Sequence, residues 1–260
     1  MPHRATVIVP ARLASTRLPE KVLLSRTGKP MVQHVVEQAL RAQCAASVVV
    51  ATDSQRVIDA LAPFNTRCIL TRPDHPNGTS RLAQAAAILA LAPGDIVVNA
   101  QGDEPEMPPA VIDAAVDALL QTPHASIGTV CTPFAPGEDP ANPNIVKVVP
   151  SQLATALYFS RAHVPFCRDG TPQANAQPFR HVGVYAYRAG FLHTYANLPS
   201  TPLEICESLE QLRALELGYT IGLARCDQAK GLTGIDTAEQ YEEFVARRGA
   251  KRQEGIGNRQ

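Results

Sequence analysis

The stretch PARLASTRLPEKVL, residues 10–23, puts Arg12, Arg17 and Lys21 on one short loop among the small residues Ala14, Ser15 and Thr16. Cations this close repel unless solvent or an anion neutralises them, and small neighbours let backbone N–H groups approach a phosphate. A polyphosphate suits such a loop; a solvated basic loop is the alternative that the residues leave open. It is not one of the common phosphate loops. Gly28-Lys29 is followed by Pro30, so no G-x-x-x-x-G-K-[ST] exists, and no G-x-G-x-x-G follows a strand-like run.

Two acidic stretches could face that loop. In VVNAQGDEPEM, residues 97–107, an apolar run ends on Asp103 and Glu104. Carboxylates there suit Mg²⁺, which takes one or two carboxylates with water and phosphate oxygens, although Gly-Asp is also a common turn pair. In GLTGIDTAEQY, residues 231–241, Asp236 opens a helix, where capping is its ordinary role. Arriving from a remote loop, it would complete a metal site with Asp103. Magnesium so held would lower the pKa of a hydroxyl attacking an α-phosphate, while Arg17 and Lys21 stabilise the departing pyrophosphate. Alignment and charge neutralisation carry phosphoryl chemistry, so no general-base histidine is required.

The elements that must position these residues follow an α/β rhythm. Strands are expected at Ala5 to Val9, Ser47 to Ala51, Arg67 to Leu70 and Asp95 to Ala100, with VIV, SVVVA and DIVVNA at the sheet centre because each carries a continuous apolar run. Helices are expected at Met31 to Gln43, with Val32, Val35, Val36, Ala39 and Leu40 on one face, and at Gln55 to Leu61, Ser80 to Leu91 and Ala110 to Gln121. From Cys131 to Pro202 the rhythm loosens, and NIVKVV and HVGVYAYR read as pieces of an inserted small sheet and dimer surface. Helical texture returns at Leu203 to Leu217 and at Thr237 to Arg247, capped by Asp236 or Thr237. One domain over residues 1–248 is expected, followed by a frayed tail over 249–260.

Lysine plus arginine and aspartate plus glutamate balance at 24 each in 260 residues, so no whole-molecule field favours nucleic acid or an anionic membrane. The six cysteines are scattered and form no C-x-x-C, which reads as reduced thiols. The apolar run near the amino terminus is too short for a signal or a membrane span, and a cytoplasmic protein is expected.

ARLASTRLPEK, TRPDHPNGTSRLA, NAQGDEP, NPNIVKVV, ALYFSRAHVPF, RHVGVYAYRAGF, LEICESLEQLRAL and GIDTAEQY occur in the order found in the 3-deoxy-manno-octulosonate (KDO) cytidylyltransferases, a family that the chain resembles over about residues 5–245. The resemblance implies a nucleotide-diphospho-sugar transferase fold, Rossmann-like, with a mostly parallel mixed sheet flanked by helices and a small inserted subdomain. It implies transfer of CMP from CTP to KDO with release of pyrophosphate, Mg²⁺ as cofactor, a homodimer, and a product used in lipopolysaccharide-type glycans. Arg12, Arg17 and Lys21 then fall where the family binds the triphosphate, Asp103 and Asp236 where it holds magnesium, and Arg72, Asp74, Gly78 and Gln101 near the nucleotide. Gln101, Arg161, Arg168, His181, Tyr185, Glu210 and Gln211 fall in the motifs around the sugar acid, with Arg161 or Arg168 able to fork a carboxylate. Four positions depart from the family pattern: Glu20 for a common glycine, Ser80 for an acid, Ala238 for proline, and Phe166-Cys167 for Trp-Asp. Glu20 would set a negative charge beside the phosphate loop unless it points outward. The alternatives are a cytidylyltransferase for 8-amino-KDO or sialic acid, a glycosyltransferase, which would carry the Asp-x-Asp that is missing here, and a noncatalytic nucleotide-binding protein.

Overall fold

The structure is a computed structural model that describes residues 4–15, 17–75, 77–170 and 177–257. In chain order the elements are β1 (Ala5–Ala11), α1 (Met31–Ala39), β2 (Ala45–Thr52), α2 (Gln55–Leu61), β3 (Cys68–Leu70), α3 (Gly78–Ile88), β4 (Ile96–Asn99), α4 (Pro109–Gln121) and β5 (Ala125–Pro133). Then follow β6 (Lys147–Pro150), β7 (Ala156–Ser160), β8 (Phe179–Arg188), α5 (Ala189–Ala196), α6 (Pro202–Glu207), α7 (Gln211–Glu216), β9 (Thr220–Arg225) and α8 (Ala238–Gly257). One mixed sheet runs β3-β2-β1-β4-β8-β5-β9, with β6 and β7 paired off this path beside β8.

Alternation along β1 explains the layers. Val7 and Val9 face one side, packing with Val32, Val35 and Val36 of α1 and with Val111, Ile112 and Ala115 of α4. Ile8 faces the other, with Leu82, Ala85 and Ala86 of α3 and Leu192 of α5. Because both faces are covered, these strands have no solvent side and read as unbroken apolar runs. Gly128 of β5 lets α4 lie directly on the sheet: a Cβ there would stand 2.2 Å from the carbonyl oxygen of Ala115. No helix among the described residues is long and apolar enough to cross a membrane.

Several expectations change. HVGVYAYR is not part of an outlying sheet: β8 runs through the middle of the main one, antiparallel to both β4 and β5. Among the described strands of the 131–202 segment, β6 and β7 lie off the main strand order. That pair is tied in by Lys147, whose fully buried ammonium donates to the carbonyls of Asn142 (2.9 Å), Ile145 (2.6 Å) and Arg161 (2.6 Å). The helix expected over Leu203 to Leu217 is two short ones, α6 and α7, broken at Ser208 with φ of 52°. Leu40, placed on the buried face of α1, is 60% exposed because the helix stops at Ala39. The last helix continues past Arg247 to Gly257, into the segment expected to fray, since nothing before Gly255 except Gly249 disfavours a helix there.

Gly128→Ala should lower the stability in urea unfolding by about 1–3 kcal/mol, the usual cost of forcing extra volume into a packed interior. An unchanged midpoint and slope would mean that α4 can lift from β5 without loss.

Candidate active site

The basic loop, the turn after β4 and the turn before α8 meet at the carboxyl ends of β1 and β4, where ligands settle in open α/β sheets. Gly102 makes the meeting possible, because a Cβ there would stand 2.6 Å from the carbonyl oxygen of Pro10. The amide of Ile235 donates to the carbonyl of Asp103 at 2.8 Å, joining the two acidic turns. Lys21 lies between them: its Nζ donates to Asp103 Oδ2 at 2.6 Å, to Asp236 Oδ1 at 2.7 Å and to the Ile235 carbonyl at 3.2 Å. Arg17 pairs with the other oxygen of Asp236 at 3.0 Å. Burial works against the charge on Lys21, yet the two carboxylates outweigh it and hold its pKa above the ordinary lysine value.

The capping alternative for Asp236 fails on geometry. Thr237 is the cap: the amide of Gln240 donates to its Oγ1, while Gln240 Oε1 accepts from the amides of Asp236 and Thr237 at 2.7 and 3.0 Å. The Asp236 carboxylate is left facing Lys21. Glu104, considered as a second metal carboxylate in the same turn, does not line the cleft. Its carboxyl is buried with Oε2 unpartnered among the described residues, and burial, aided by the charge of Asp103, pushes its pKa up to about 8.

Glu20 points outward. It sits at φ 52°, a left-handed conformation that glycine adopts without strain, and its carboxylate forks onto Arg56 of α2 at 2.5 and 2.8 Å. No negative charge is therefore added to the cleft. Ser80 is also engaged locally, its amide on the Asn77 side chain that caps α3 at 2.9 Å and its hydroxyl on the Asn77 carbonyl at 3.1 Å.

The cleft is walled by Pro10, Arg12, Ser15, Arg17, Lys21, Gly102, Asp103 and Asp236. One guanidinium nitrogen of Arg12 is buried without a partner among the described residues, a donor suited to an incoming anion. Thr16, named with this loop, lies outside the described residues. Gly78 and Gln101 line both this cleft and a second cavity formed with Thr79, Asn99, Tyr185, Tyr187, Tyr195, Glu210 and Gln211, so the two compartments are continuous. The amino end of α3 opens at Gly78, adding the positive end of a helix dipole. In the second compartment Thr79 Oγ1 donates to Glu210 at 2.8 Å, Gln101 Nε2 donates to the Gly183 carbonyl at 3.1 Å, and the Tyr195 hydroxyl donates to the Glu210 carbonyl at 2.5 Å.

Not every expected residue reaches these compartments. His181 stands behind Tyr185, its ring centroid 5.4 Å away, with Nε2 against Thr129 Oγ1 at 3.0 Å. Arg161 is occupied with carbonyls, donating to Glu207 at 2.7 Å and Pro143 at 3.0 Å, and so ties β7 to the α6–α7 break. Arg168 is exposed and lines neither compartment; the same holds for Arg72 and Asp74, which face each other at 3.4 Å in solvent. Thr79, Asn99, Tyr187 and Tyr195 were not anticipated. Thr79 lay inside the quoted GTSR run and Tyr187 inside HVGVYAYR, but nothing in their types marked them out.

The two carboxylates suit a divalent cation whose remaining coordination comes from phosphate, and no cluster of three or more His, Cys, Asp or Glu side chains forms among the described residues. A family model described as cytidylyltransferase matches residues 6–221. The 3-deoxy-manno-octulosonate cytidylyltransferase of Syntrophobacter fumaroxidans is 47% identical over 242 residues, covering 93% of this chain and 96% of that protein. The protein of the same name from Pseudomonas fluorescens is 49% identical over 243 residues, covering 91% and 95%. A solved CMP:2-keto-3-deoxy-manno-octonic acid synthetase complexed with CTP superposes with a TM-score of 0.86 at 39% identity, covering 95% and 99%. A 4-diphosphocytidyl-2C-methyl-D-erythritol synthase, at 13% identity and a TM-score of 0.61, shares the fold.

Burial pushes the His181 imidazole down to about 3 and that of His34 down to about 4, from an ordinary 6.5. Both rings are neutral when folded and gain a proton on unfolding, so stability is full above pH about 6.5 and falls as the pH drops toward 4. His181→Gln should flatten part of that acid slope, by up to about 3 kcal/mol at pH 4; an equally steep slope in the variant would remove His181 from the cause.

Proposed function

The chain belongs to the cytidylyltransferase family, and we propose that it transfers the CMP group from CTP to 3-deoxy-D-manno-octulosonate, releasing pyrophosphate. The observation that carries this reading is the convergence of Asp103 and Asp236 on Lys21 at the rim of a basic cleft that continues into a polar, tyrosine-lined compartment. The cleft takes the triphosphate and the second compartment takes the sugar acid.

Arg12, Arg17 and Lys21 bind and align the triphosphate, and the last two neutralise the departing pyrophosphate. Lys21 touches both carboxylates and the cleft, so it can exchange a carboxylate partner for a phosphate oxygen without leaving its place. Asp103 and Asp236 would hold magnesium, which would supply Lewis-acid neutralisation of phosphoryl oxygens and make the attacking sugar hydroxyl more acidic. Gln101, at the junction of the compartments, orients the acceptor against the α-phosphate. Glu210 and Gln211 accept and donate to sugar hydroxyls, while Tyr185, Tyr187 and Tyr195 keep water from the reacting centre. The neutral His181 supports Tyr185 from behind and takes no part in proton transfer. Arg161, engaged with carbonyls, serves the wall of the sugar compartment and not its carboxylate.

KDO is favoured over 8-amino-KDO or sialic acid by the names of the relatives that match nearly end to end. The departure Phe166-Cys167 does not line the sugar compartment: Phe166 is 82% exposed. The exposed Leu157 of β7 and Leu153 of the β6–β7 turn support a homodimer. The protein works in the cytoplasm, and its product feeds lipopolysaccharide-type glycans.

The test is pyrophosphate release by purified protein with Mg²⁺, using CTP, UTP, ATP and GTP against KDO and sialic acid. Signal with CTP and KDO alone is expected; equal signal with sialic acid would overturn the acceptor. Asp103→Asn and Asp236→Asn should each lower kcat by about 10²–10³-fold while the thermal midpoint stays near the parent's. Turnover of either variant at the parent rate would sink the mechanism. Lys21→Ala should raise the CTP requirement and slow the chemical step, and unchanged kinetics would take Lys21 out of the triphosphate site.

A further inference from the structure

Asp103 and Asp236 come from segments far apart in the chain, carry the same charge and meet on one ammonium. An incoming triphosphate competes for that ammonium. Something other than Lys21 must then keep the two carboxylates side by side, because like charges drift apart when their counter-ion turns elsewhere.

The turn that carries Asp103 is fastened twice, once to the segment just before α8 and once to the helix itself. At the near end, the amide of Ile235 holds the Asp103 carbonyl at 2.8 Å. At the far end, Arg247 directs Nε and one terminal nitrogen to Glu106 Oε2 at 3.0 and 2.8 Å, and Arg248 donates to the Pro105 carbonyl at 3.2 Å. Ile235 stands just before α8, whereas Arg247 and Arg248 lie more than two turns into it, so the turn is held from two separate places in the chain. A turn held at one point can swivel; a turn held at two keeps its direction. Arg248 is itself fixed, its guanidinium 5.4 Å from the ring centroid of Phe244, a fully buried side chain that packs with Met31 and Ile235. Neither arginine lines the cleft.

We propose that Arg247 and Arg248 are positioning residues of the carboxylate pair: gripping residues 105 and 106, they hold Asp103 in register with Asp236 for a divalent cation. The proposal rests on the reading that these two aspartates bind such a cation. Arg247 has an alternative partner in Glu243 at 3.7 Å on its own helix, but the contact with Glu106 is shorter and joins two distant segments. An exposed ion pair alone would contribute little to folding; its effect here falls on geometry, where residues behind metal ligands commonly change affinity by about 10- to 100-fold.

The test uses the full chain with CTP present and no acceptor sugar, and measures free Mn²⁺ by electron paramagnetic resonance. Arg247→Glu, Glu106→Arg and Arg248→Met should each raise the Mn²⁺ half-saturation about tenfold, and the double variant Glu106→Arg/Arg247→Glu should return it to near the parent value. Thermal midpoints recorded alongside separate this from a purely structural role. A lowered midpoint with unchanged Mn²⁺ binding overturns the proposal, as does a charge-swapped double variant that binds no better than either single one. If Arg248→Met does not fold, the charge swap still decides. A parent protein that takes up no Mn²⁺ beyond that held by CTP itself would overturn the metal reading as well, whereas normal uptake by the parent and all variants overturns the positioning role alone.

Discussion

The arrangement on which the rest depends is electrostatic: two carboxylates that repel each other are held on a single ammonium, with the guanidinium of Arg17 on one of them. At the contact distances involved, each opposite-charge pair is attracted by about 4 kcal/mol at the effective dielectric of a protein surface, and the acid pair is repelled on the same scale. Attraction wins only while the cations are held in place. Burial of the Lys21 stem does this on one side, and the rigid ends of β1 and β4 do it on the other. The outcome is a centre balanced in charge that remains ready to exchange partners.

The other half of the site is held by packing. β8 enters the sheet antiparallel between β4 and β5, and its alternation sends Val182, Val184 and Ala186 into the core on one face while Tyr185 and Tyr187 stand on the other. His181 lies edge-on to Phe159 at 5.0 Å and against Tyr185, so that an aromatic layer backs the second compartment. The interruption between α6 and α7 at Ser208 then brings Glu210 and Gln211 to the cavity wall, which one continuous helix would not do.

The first half of the fold was legible because β1, β2 and β4 are covered on both faces and carry no polar break. β8 was misplaced for the opposite reason: it lines a polar compartment on one face, and its alternating Tyr and Gly residues look like a peripheral strand when the cavity is unknown. The charged residues divide in a similar way. Lys21, Asp103 and Asp236 pair with one another, and such complementary types can be matched across a sequence. Arg161 and Lys147 bind backbone carbonyls, partners that every residue possesses and that leave no trace in residue identity. Glu20 was readable as an oddity, but only its left-handed backbone and the facing Arg56 show why it is harmless.

Gly78 and Gln101 stand where the two compartments join, and a Cβ on Gly78 would meet nothing within 4 Å. The fold therefore tolerates a side chain there sterically, and the open space beyond it is shared by both compartments. A larger residue at this one position would narrow the two cavities together, without any cost to the packed core.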